Sequence, residues 1–131
     1  MKFKKIDHIA LAVNNLEEAS KTFTDMGFVV EKPHDVASMK VRAAFVKVGE
    51  SQLELLEPTE TNSVVHKFLE KRGEGMHHLC FEVDDIHKSL ADLKEKDFQL
   101  VHEKPVSGAQ GLVAFVHPKS CHGVLIELVQ K

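Results

Sequence analysis

The sequence has no tryptophan and no tyrosine, and only two of its 131 residues are cysteines, Cys80 and Cys121. The two cysteines lack the Cys-x-x-Cys spacing of zinc and redox motifs, and together they make at most one bridge. A fold held together by several disulfides is therefore excluded. We interpret both as small packing residues with reduced thiols, and we expect the protein in the cytoplasm.

Long apolar segments and an excess of positive charge are also absent. No apolar run approaches the roughly 20 residues that cross a bilayer, and no apolar stretch follows the basic segment 1–5, so we predict no secretory signal. A net charge of −3 provides no positive field for a nucleic-acid backbone. With 43% hydrophobic and 28% charged residues, the chain is expected to fold as a globular protein that binds neither membranes nor nucleic acids.

What the sequence does contain is an internal repeat. Residues 6–16 align with residues 76–86, and the similarity continues into the strands that follow. The aligned positions share a residue type or chemical class: His8 with His78, Asn15 with Asp85, Phe45 with Phe115 and, after a gain of three residues, Glu54 with Glu127. Two segments with one pattern predict two copies of a single structural module.

Each copy predicts the element order βαβββ. Runs of apolar and β-branched residues predict strands, and Asn14-Asn15 and Asp84-Asp85 predict the N-caps of helices over 16–26 and 86–96. The predicted strands cover 6–13, 29–31, 41–48 and 52–57, then the aligned strand of the second copy, 99–102, 112–116 and 124–129. A linking helix is predicted over 61–71. One module leaves a sheet face uncovered, so we expect modules 5–58 and 75–130 to pair about a pseudo-twofold axis in one α+β domain, 1–131.

Four polar residues recur inside the apolar strands: His8, Glu54, His78 and Glu127. A lone strand histidine is usually a hydrogen-bonded core residue, and a lone strand glutamate usually faces solvent. Recurrence of both in register reverses that expectation, because a buried carboxylate needs a cation or a metal partner. Two imidazoles and two carboxylates suit one divalent ion with open positions, namely Co, Ni, Mn or Zn.

Longer segments carry a family resemblance. These are Gln52–Pro58 (QLELLEP), Gly73–His78 (GEGMHH) and His117–Ser120 (HPKS), together with the strand segments around the four polar residues. With them the chain resembles the vicinal oxygen chelate superfamily, to which the glyoxalases belong, and within it the methylmalonyl-CoA epimerases. The resemblance implies paired βαβββ modules forming a curved, open, barrel-like mixed sheet around a metal ion.

The resemblance also implies an activity and a site. The metal ligands would be His8, Glu54, His78 and Glu127, with Glu127 also acting as a base on the C2 proton of methylmalonyl-CoA. Inversion at C2 passes through an enolate and needs proton removal on one face and return on the other. The substrate would be an acyl-CoA, and the family suggests a homodimer.

The second base is not assigned by the sequence. Some bacterial relatives carry a glutamate in the strand aligned with 41–48, whereas this strand contains no acid and has Arg42 near that place. Glu82 shares strand parity with His78, but a solvated strand end is the preferred interpretation. We expect the loop 105–111, with Gly108, to cover the substrate, and Arg42 and Lys119 to contact CoA phosphates.

Two other functions use the same fold. A glyoxalase I-like lyase acts on a glutathione hemithioacetal at a similar site, and a non-catalytic member of the superfamily binds a small molecule. The segment His117–Ser120 favours the epimerase over the lyase, and the intact set of four ligands argues against the binding protein.

Overall fold

The computed structural model describes residues 2–108 and 110–131, and the chain divides into two compact units. The N-unit contains His8–His77, and the C-unit contains Met1–Asp7 together with His78–Lys131. Strand β1 (Phe3–Ala12) crosses this boundary, since its residues up to Asp7 belong to the C-unit. Among the described residues, no helix is long and apolar enough to span a membrane.

The N-unit contains one βαβββ set. Its elements after β1 are α1 (Leu16–Met26), β2 (His34–Val36), a 3-10 turn (Ala37–Met39), β3 (Val41–Val48), β4 (Ser51–Pro58) and α2 (Val64–Arg72). The strand order is β2-β3-β4-β1. β1 pairs with β4 in parallel, and the other neighbours pair antiparallel. The helix predicted over 16–26 is confirmed, as is the strand over 41–48.

Local signals set the ends of α1. The Asn15 side chain accepts a hydrogen bond from the Glu18 amide at 2.9 Å, which satisfies one free donor of the first turn. Gly27 ends the helix in the left-handed conformation (φ 108°), where its amide donates to the carbonyls of Phe23 and Thr24. A residue with a Cβ is strained there, so glycine is the natural stop.

The two faces of the N-unit sheet pack against different helices. Ala44, Val46 and Leu55 pack with Leu16 of α1. The opposite face presents the fully buried Ala10, which packs with α2 residues in a second cluster, Ala10, Ala12, Val41, Ala43, Leu56 and Val65. We call this second side the site face of the N-unit. By strand alternation it also carries His8 and Glu54.

The C-unit contains the second βαβββ set. Its elements are β5 (Gly75–Val83, whose residues before His78 lie in the N-unit), α3 (Ile86–Glu95), β6 (Val106–Gly108), β7 (Gly111–Val116), a 3-10 turn (Pro118–Ser120) and β8 (Ile126–Gln130). The strand order is β5-β8-β7-β6, with β5 parallel to β8. The start of β1 lies against β5, where the rings of Phe3 and Phe81 are 5.6 Å apart.

The core of the C-unit lies between α3 and one face of its sheet. It consists of Val83, Ile86, Leu90, Leu93, Ala114, Val116 and Leu128. Burying a leucine side chain stabilises a fold by about 1.5–3 kcal/mol. By alternation, the other face carries His78 and Glu127, and we call it the site face of the C-unit.

Both predicted edge strands were misplaced, and by the same cause. In segment 29–31 only Val30 forms an isolated bridge, and the edge strand β2 begins directly after Pro33. In segment 99–102 only Leu100 forms a bridge, and β6 begins directly after Pro105. Proline has no amide hydrogen to donate to a sheet, so the regular pairing of each edge strand starts at the residue that follows the proline.

The segment predicted as a covering loop, 105–111, is largely a hairpin. Val106–Gly108 pairs with β7, and Gly108 lies opposite Gly111, while Ala109 lies outside the described residues. Gly111 has φ 142°, and a Cβ there would collide with the Gln130 carbonyl. Glycine at position 111 therefore allows the close approach of the Gln130 carbonyl of β8.

Candidate functional site

The N-unit brings His8 and Glu54 together through neighbouring parallel strands. Ala10 on β1 lies opposite Glu54 on β4, so His8 is one step away on the same face. The His8 Nε2 and Glu54 Oε1 atoms are 3.8 Å apart, and the two side chains are 9% and 14% exposed. A carboxylate this deep in an apolar face needs a positive partner, since an unpaired one costs several kcal/mol.

The C-unit repeats this arrangement with His78 and Glu127. Cys80 on β5 lies opposite Glu127 on β8, which again puts the histidine one step away on the same face. The His78 Nε2 and Glu127 Oε1 atoms are 3.1 Å apart, and the side chains are 1% and 10% exposed. The structure therefore shows, within each unit, the histidine–glutamate pair that the sequence repeat predicts.

The chemistry of each pair fits half of a divalent-metal site. Nitrogen and oxygen ligands about 2.1 Å from an ion, at octahedral or tetrahedral angles, lie roughly 3.0–3.4 Å from each other. The 3.1 Å separation in the C-unit falls in this range, and the 3.8 Å separation in the N-unit is a few tenths of an ångström beyond it. A small side-chain adjustment is enough for either pair to bind one ion.

A phenylalanine lies beside each glutamate. Phe45 on β3 is opposite Glu54, and Phe115 on β7 is opposite Glu127. The Phe115 ring meets His78 edge-on, with centroids 5.6 Å apart and an interplanar angle of 87°. In each unit the ring provides an apolar surface next to the glutamate of that unit.

Each phenylalanine also contacts another histidine that the sequence does not single out. His34 stacks on Phe45 with centroids 5.2 Å apart, and His102 lies 5.8 Å from Phe115. From the sequence, both histidines are expected only as surface or outer residues. The sequence signal for this part of the structure is the phenylalanine that recurs at an offset of 70 residues. It does not point to the two histidines, because neither histidine has a counterpart at that offset.

Arg42 is not brought to the His8–Glu54 pair. Its guanidinium binds Glu17 of α1 at 2.8 Å, on the sheet face opposite the site face. The hydrogen bond and charge of Glu17 raise the pKa of Arg42, and Arg42 lowers the pKa of Glu17. A direct contact of Arg42 with a reacting acyl group at His8 does not fit this placement.

Lys119 and Gly108 are exposed residues of the C-unit. Lys119 belongs to the 3-10 turn Pro118–Ser120, whose start is capped by His117 Nδ1 accepting from the Lys119 amide at 3.0 Å. The lysine side chain is therefore presented from an ordered turn. Gly108 ends strand β6.

Glu82 and His77 lie away from the ligand pairs. Glu82 is four residues beyond His78 on β5, a separation of roughly 13 Å along a strand, and its carboxylate is 3.9 Å from the Lys4 ammonium. His77 packs edge-on against Phe68 of α2, with centroids 5.1 Å apart. Neither placement favours a role as ligand or base beside His78.

Comparison with known proteins gives consistent matches over most of the chain. A family described as Glyoxalase/Bleomycin resistance protein/Dioxygenase superfamily matches residues 7–115, which include His8, Glu54 and His78 but end before Glu127. The mitochondrial methylmalonyl-CoA epimerase of Bos taurus is 40% identical over 129 residues, which cover 96% of this chain and 74% of that protein.

Two solved structures are similar over almost the full length. One is a single-residue variant of Streptomyces coelicolor methylmalonyl-CoA epimerase in complex with 2-nitronate-propionyl-CoA, and the other is a methylmalonyl-CoA epimerase in complex with methylmalonyl-CoA and NH4+. Each has a TM-score of 0.92 and 37% identity, and each match covers 99% of this chain and 96% of the other. The fold class predicted from the sequence is confirmed by this similarity.

Proposed function

This chain belongs to the Glyoxalase/Bleomycin resistance protein/Dioxygenase superfamily, and we propose that it is an isomerase that inverts C2 of methylmalonyl-CoA. The observation that carries the proposal is similarity over nearly the whole chain to epimerases, one of them solved with methylmalonyl-CoA. The relatives reported above are epimerases, and no observation favours the glyoxalase I-like lyase. The substrate class is accordingly an acyl-CoA.

The proposed metal site consists of His8, Glu54, His78 and Glu127. Its support is the donor chemistry of the two pairs, their equivalence in the sequence repeat and the metal dependence implied by the family resemblance. The ion would be Co, Ni, Mn or Zn, all of which accept imidazole and carboxylate ligands. When bound, such an ion stabilises negative charge that develops on a substrate oxygen.

The proposed reaction begins with Glu127 as a carboxylate base. The C2 proton is acidic because it lies between a thioester carbonyl and a carboxylate. As Glu127 takes this proton, the C2–H bond breaks and its electron pair moves into the thioester to form an enolate. Oε1 of Glu127 lies near His78, and the carboxylate has a second oxygen to accept the proton. Return of a proton to the other face of C2 gives the opposite epimer.

The remaining properties are also proposals. The chain is taken to be one domain, residues 1–131, to assemble as a homodimer and to act in the cytoplasm, although the Bos taurus relative is named as mitochondrial. Lys119 and Gly108 are proposed to contact the CoA moiety, and any contact of Arg42 would be with the distant phosphates. Sedimentation at several concentrations would test the dimer.

The activity is tested with one epimer of methylmalonyl-CoA in deuterated buffer. The expected result is inversion with deuterium at C2, and a protein that catalyses neither contradicts the proposal. Deuterium uptake into lactoylglutathione from a hemithioacetal, without inversion of methylmalonyl-CoA, would instead support the lyase. A protein that binds the acyl-CoA but exchanges no proton would be a binding member of the superfamily.

Glu127→Gln tests the role of Glu127, since it keeps the size of the side chain and removes the base. We expect the rate of inversion to fall by about 10²–10⁴-fold, with weaker metal binding and an unchanged fold. Glu95→Gln at the exposed end of α3 is the matched control and should behave as wild type. Normal turnover in Glu127→Gln would show that Glu127 is not the base.

Metal content is tested separately on the purified protein. Elemental analysis should find one divalent ion per chain, and His8→Ala and His78→Ala should each lower that content. Removal of the ion by a chelator should abolish inversion, and addition of Co, Ni, Mn or Zn should restore it in different degrees. Full metal content in both histidine variants would refute the ligand set.

A further inference from the structure

His102 carries a buried nitrogen that the proposed reaction does not use. Its Nδ1 atom is covered by the surrounding chain and, within the described residues, has no hydrogen-bond partner. Resting on the proposed epimerase function, we propose that His102 is a substrate-positioning residue of the C-unit. Its Nδ1 atom hydrogen-bonds the pantetheine amide nearest the thioester of the acyl-CoA, and it takes no part in the proton transfers.

Three rings form a row across the C-unit, with His102 at the outer end. The centroid of the Phe115 ring is 5.6 Å from that of His78 and 5.8 Å from that of His102. The sum of 5.6 Å and 5.8 Å limits the separation of the two imidazoles to about 11 Å. Because Phe115 lies opposite Glu127, the row begins beside the pair His78–Glu127 and leads to the outer side of β7.

The backbone that holds His102 is fixed by hydrogen bonds. The Val101 amide donates to the Phe115 carbonyl at 2.8 Å. Three residues before His102, the Gln99 amide donates to Ser120 Oγ at 2.8 Å. The segment is therefore linked on one side to the ring beside the His78–Glu127 pair and on the other to the 3-10 turn that is proposed to contact the CoA moiety.

The length of an acyl-CoA matches this separation. With C2 beside Glu127, the thioester carbon, the sulfur and two methylene carbons lead to the first amide nitrogen, roughly 6 Å from C2 in an extended chain. A hydrogen bond of about 2.9 Å extends this reach to roughly 9 Å. A substrate chain that runs along Phe115 thus brings its first amide to His102, and its methylenes pack against the phenylalanine ring.

Nδ1 can reach this amide without displacement of the backbone. The His102 residue is partly exposed, although Nδ1 itself is covered. A half-turn about the Cβ–Cγ bond exchanges Nδ1 with the Cδ2 carbon, so that a C–H group fills the buried position. This exchange removes the cost of a buried unpaired nitrogen. An amide has one donor and one acceptor, so it can pair with Nδ1 in either tautomer of the neutral imidazole.

The first test compares three variants of His102 in the inversion of methylmalonyl-CoA. Asparagine holds an amide group near the position of Nδ1, glutamine holds one near Nε2, and leucine holds neither. We expect His102→Leu and His102→Gln to raise KM by about 3–10-fold, the effect of one hydrogen bond. Since the contact is the same in the ground state and the transition state, kcat should stay within about twofold of wild type. His102→Asn should keep the KM of wild type.

Truncated thioesters test which group of the substrate is bound. As competitors of methylmalonyl-CoA, the N-acetylcysteamine thioester of methylmalonate keeps the first amide, and the ethyl thioester lacks it. His102→Leu should raise the inhibition constant of the first competitor by about the factor found for KM and leave that of the second unchanged. Equal effects on both competitors would overturn the assignment, as would an unchanged KM in His102→Leu or a KM preserved by glutamine but not by asparagine.

A stability measurement separates positioning from a structural role. His102→Leu keeps an apolar contact with Phe115 and removes the unpaired nitrogen, so its urea midpoint should equal or exceed that of wild type. His87→Leu on the exposed surface of α3 is the matched control and should keep the KM of wild type. A lower midpoint with an unchanged KM in His102→Leu would show a purely structural role. Failure of wild type to invert methylmalonyl-CoA would refute the proposed function, whereas normal inversion with any contrary result above would refute the contact alone.

Discussion

Removal of the Lys131 ammonium should destabilise the C-unit through Asp7. Asp7 lies on β1 with a side chain only 1% exposed, and its Oδ1 is 2.6 Å from Lys131 Nζ, whose side chain is 39% exposed. Loss of one partner from a fully buried pair costs about 3–5 kcal/mol, whereas exposed pairs contribute about 0.2–1 kcal/mol. Since one partner is buried and the other is half in solvent, we expect Lys131→Met to cost about 2 kcal/mol.

Thermal and urea unfolding of four proteins would measure this effect: wild type, Lys131→Met, Asp7→Asn and the double variant. For a chain of this size the expected fall in Tm is roughly 8 °C. Asp7→Asn should cost less, because the lysine left behind can turn into water, and the double variant should be more stable than the two single costs predict. Additive costs, or an unchanged midpoint in Lys131→Met, would refute the reasoning.

The pH dependence of stability has a defined sign. The hydrogen bond that the Lys131 ammonium donates to the Asp7 carboxylate raises the pKa of Lys131 above its ordinary value, and partial burial opposes this rise. The pair therefore contributes fully below the pKa of an unfolded lysine, about 10.4, and its contribution disappears as pH rises through the higher folded value. Wild type should lose stability in this alkaline range more steeply than Lys131→Met does.

Two further predictions concern the surface of the N-unit and the start of α3. Arg42→Met should leave kcat for inversion unchanged, because Arg42 binds Glu17 away from the site face; a rise in KM for the CoA substrate, absent in the control Glu17→Gln, would show that it contacts CoA phosphates. Asp85→Ala should lower the free energy of unfolding by about 1 kcal/mol, because the Asp85 carboxylate caps α3 by accepting from the Lys88 amide at 3.1 Å; an unchanged urea midpoint would contradict this role.

Repetition made most of the architecture readable from the sequence. The caps Asn15 and Asp85 were visible because each precedes an amphipathic stretch, and β3 was visible as a continuous apolar run. The pairs His8–Glu54 and His78–Glu127 were predicted because polar residues recurred at equivalent points of buried strands. In each unit the structure brings the two members of the pair to within 4 Å.

What the sequence did not reveal depends on pairing between distant residues. The edge strands begin after Pro33 and Pro105 because proline has no amide to donate to a sheet, and the apolar residues before each proline make only one isolated bridge. Alternation along β3 shows only that Arg42 and Ala43 point to opposite faces of the sheet. The pairing of Arg42 with Glu57 is needed to show which of the two faces carries Arg42. His34 was missed for the same reason, since its contact with Phe45 arises only when β2 pairs with β3.

One contact occurs in both units and links the end of each βαβββ set to its beginning. The Leu16 amide donates to Glu57 Oε1 at 3.2 Å, and the Ile86 amide donates to Gln130 Oε1 at 2.8 Å. Glutamate and glutamine both provide a side-chain oxygen at this position, so a neutral amide oxygen is sufficient to accept the hydrogen bond from the first amide of the helix. Because the partners are 41 and 44 residues apart, the first amide of the helix in each set gains this acceptor only when the last strand is in place. In a fragment that ends before its final strand, this amide loses its acceptor, and the first turn of the helix is expected to be less stable.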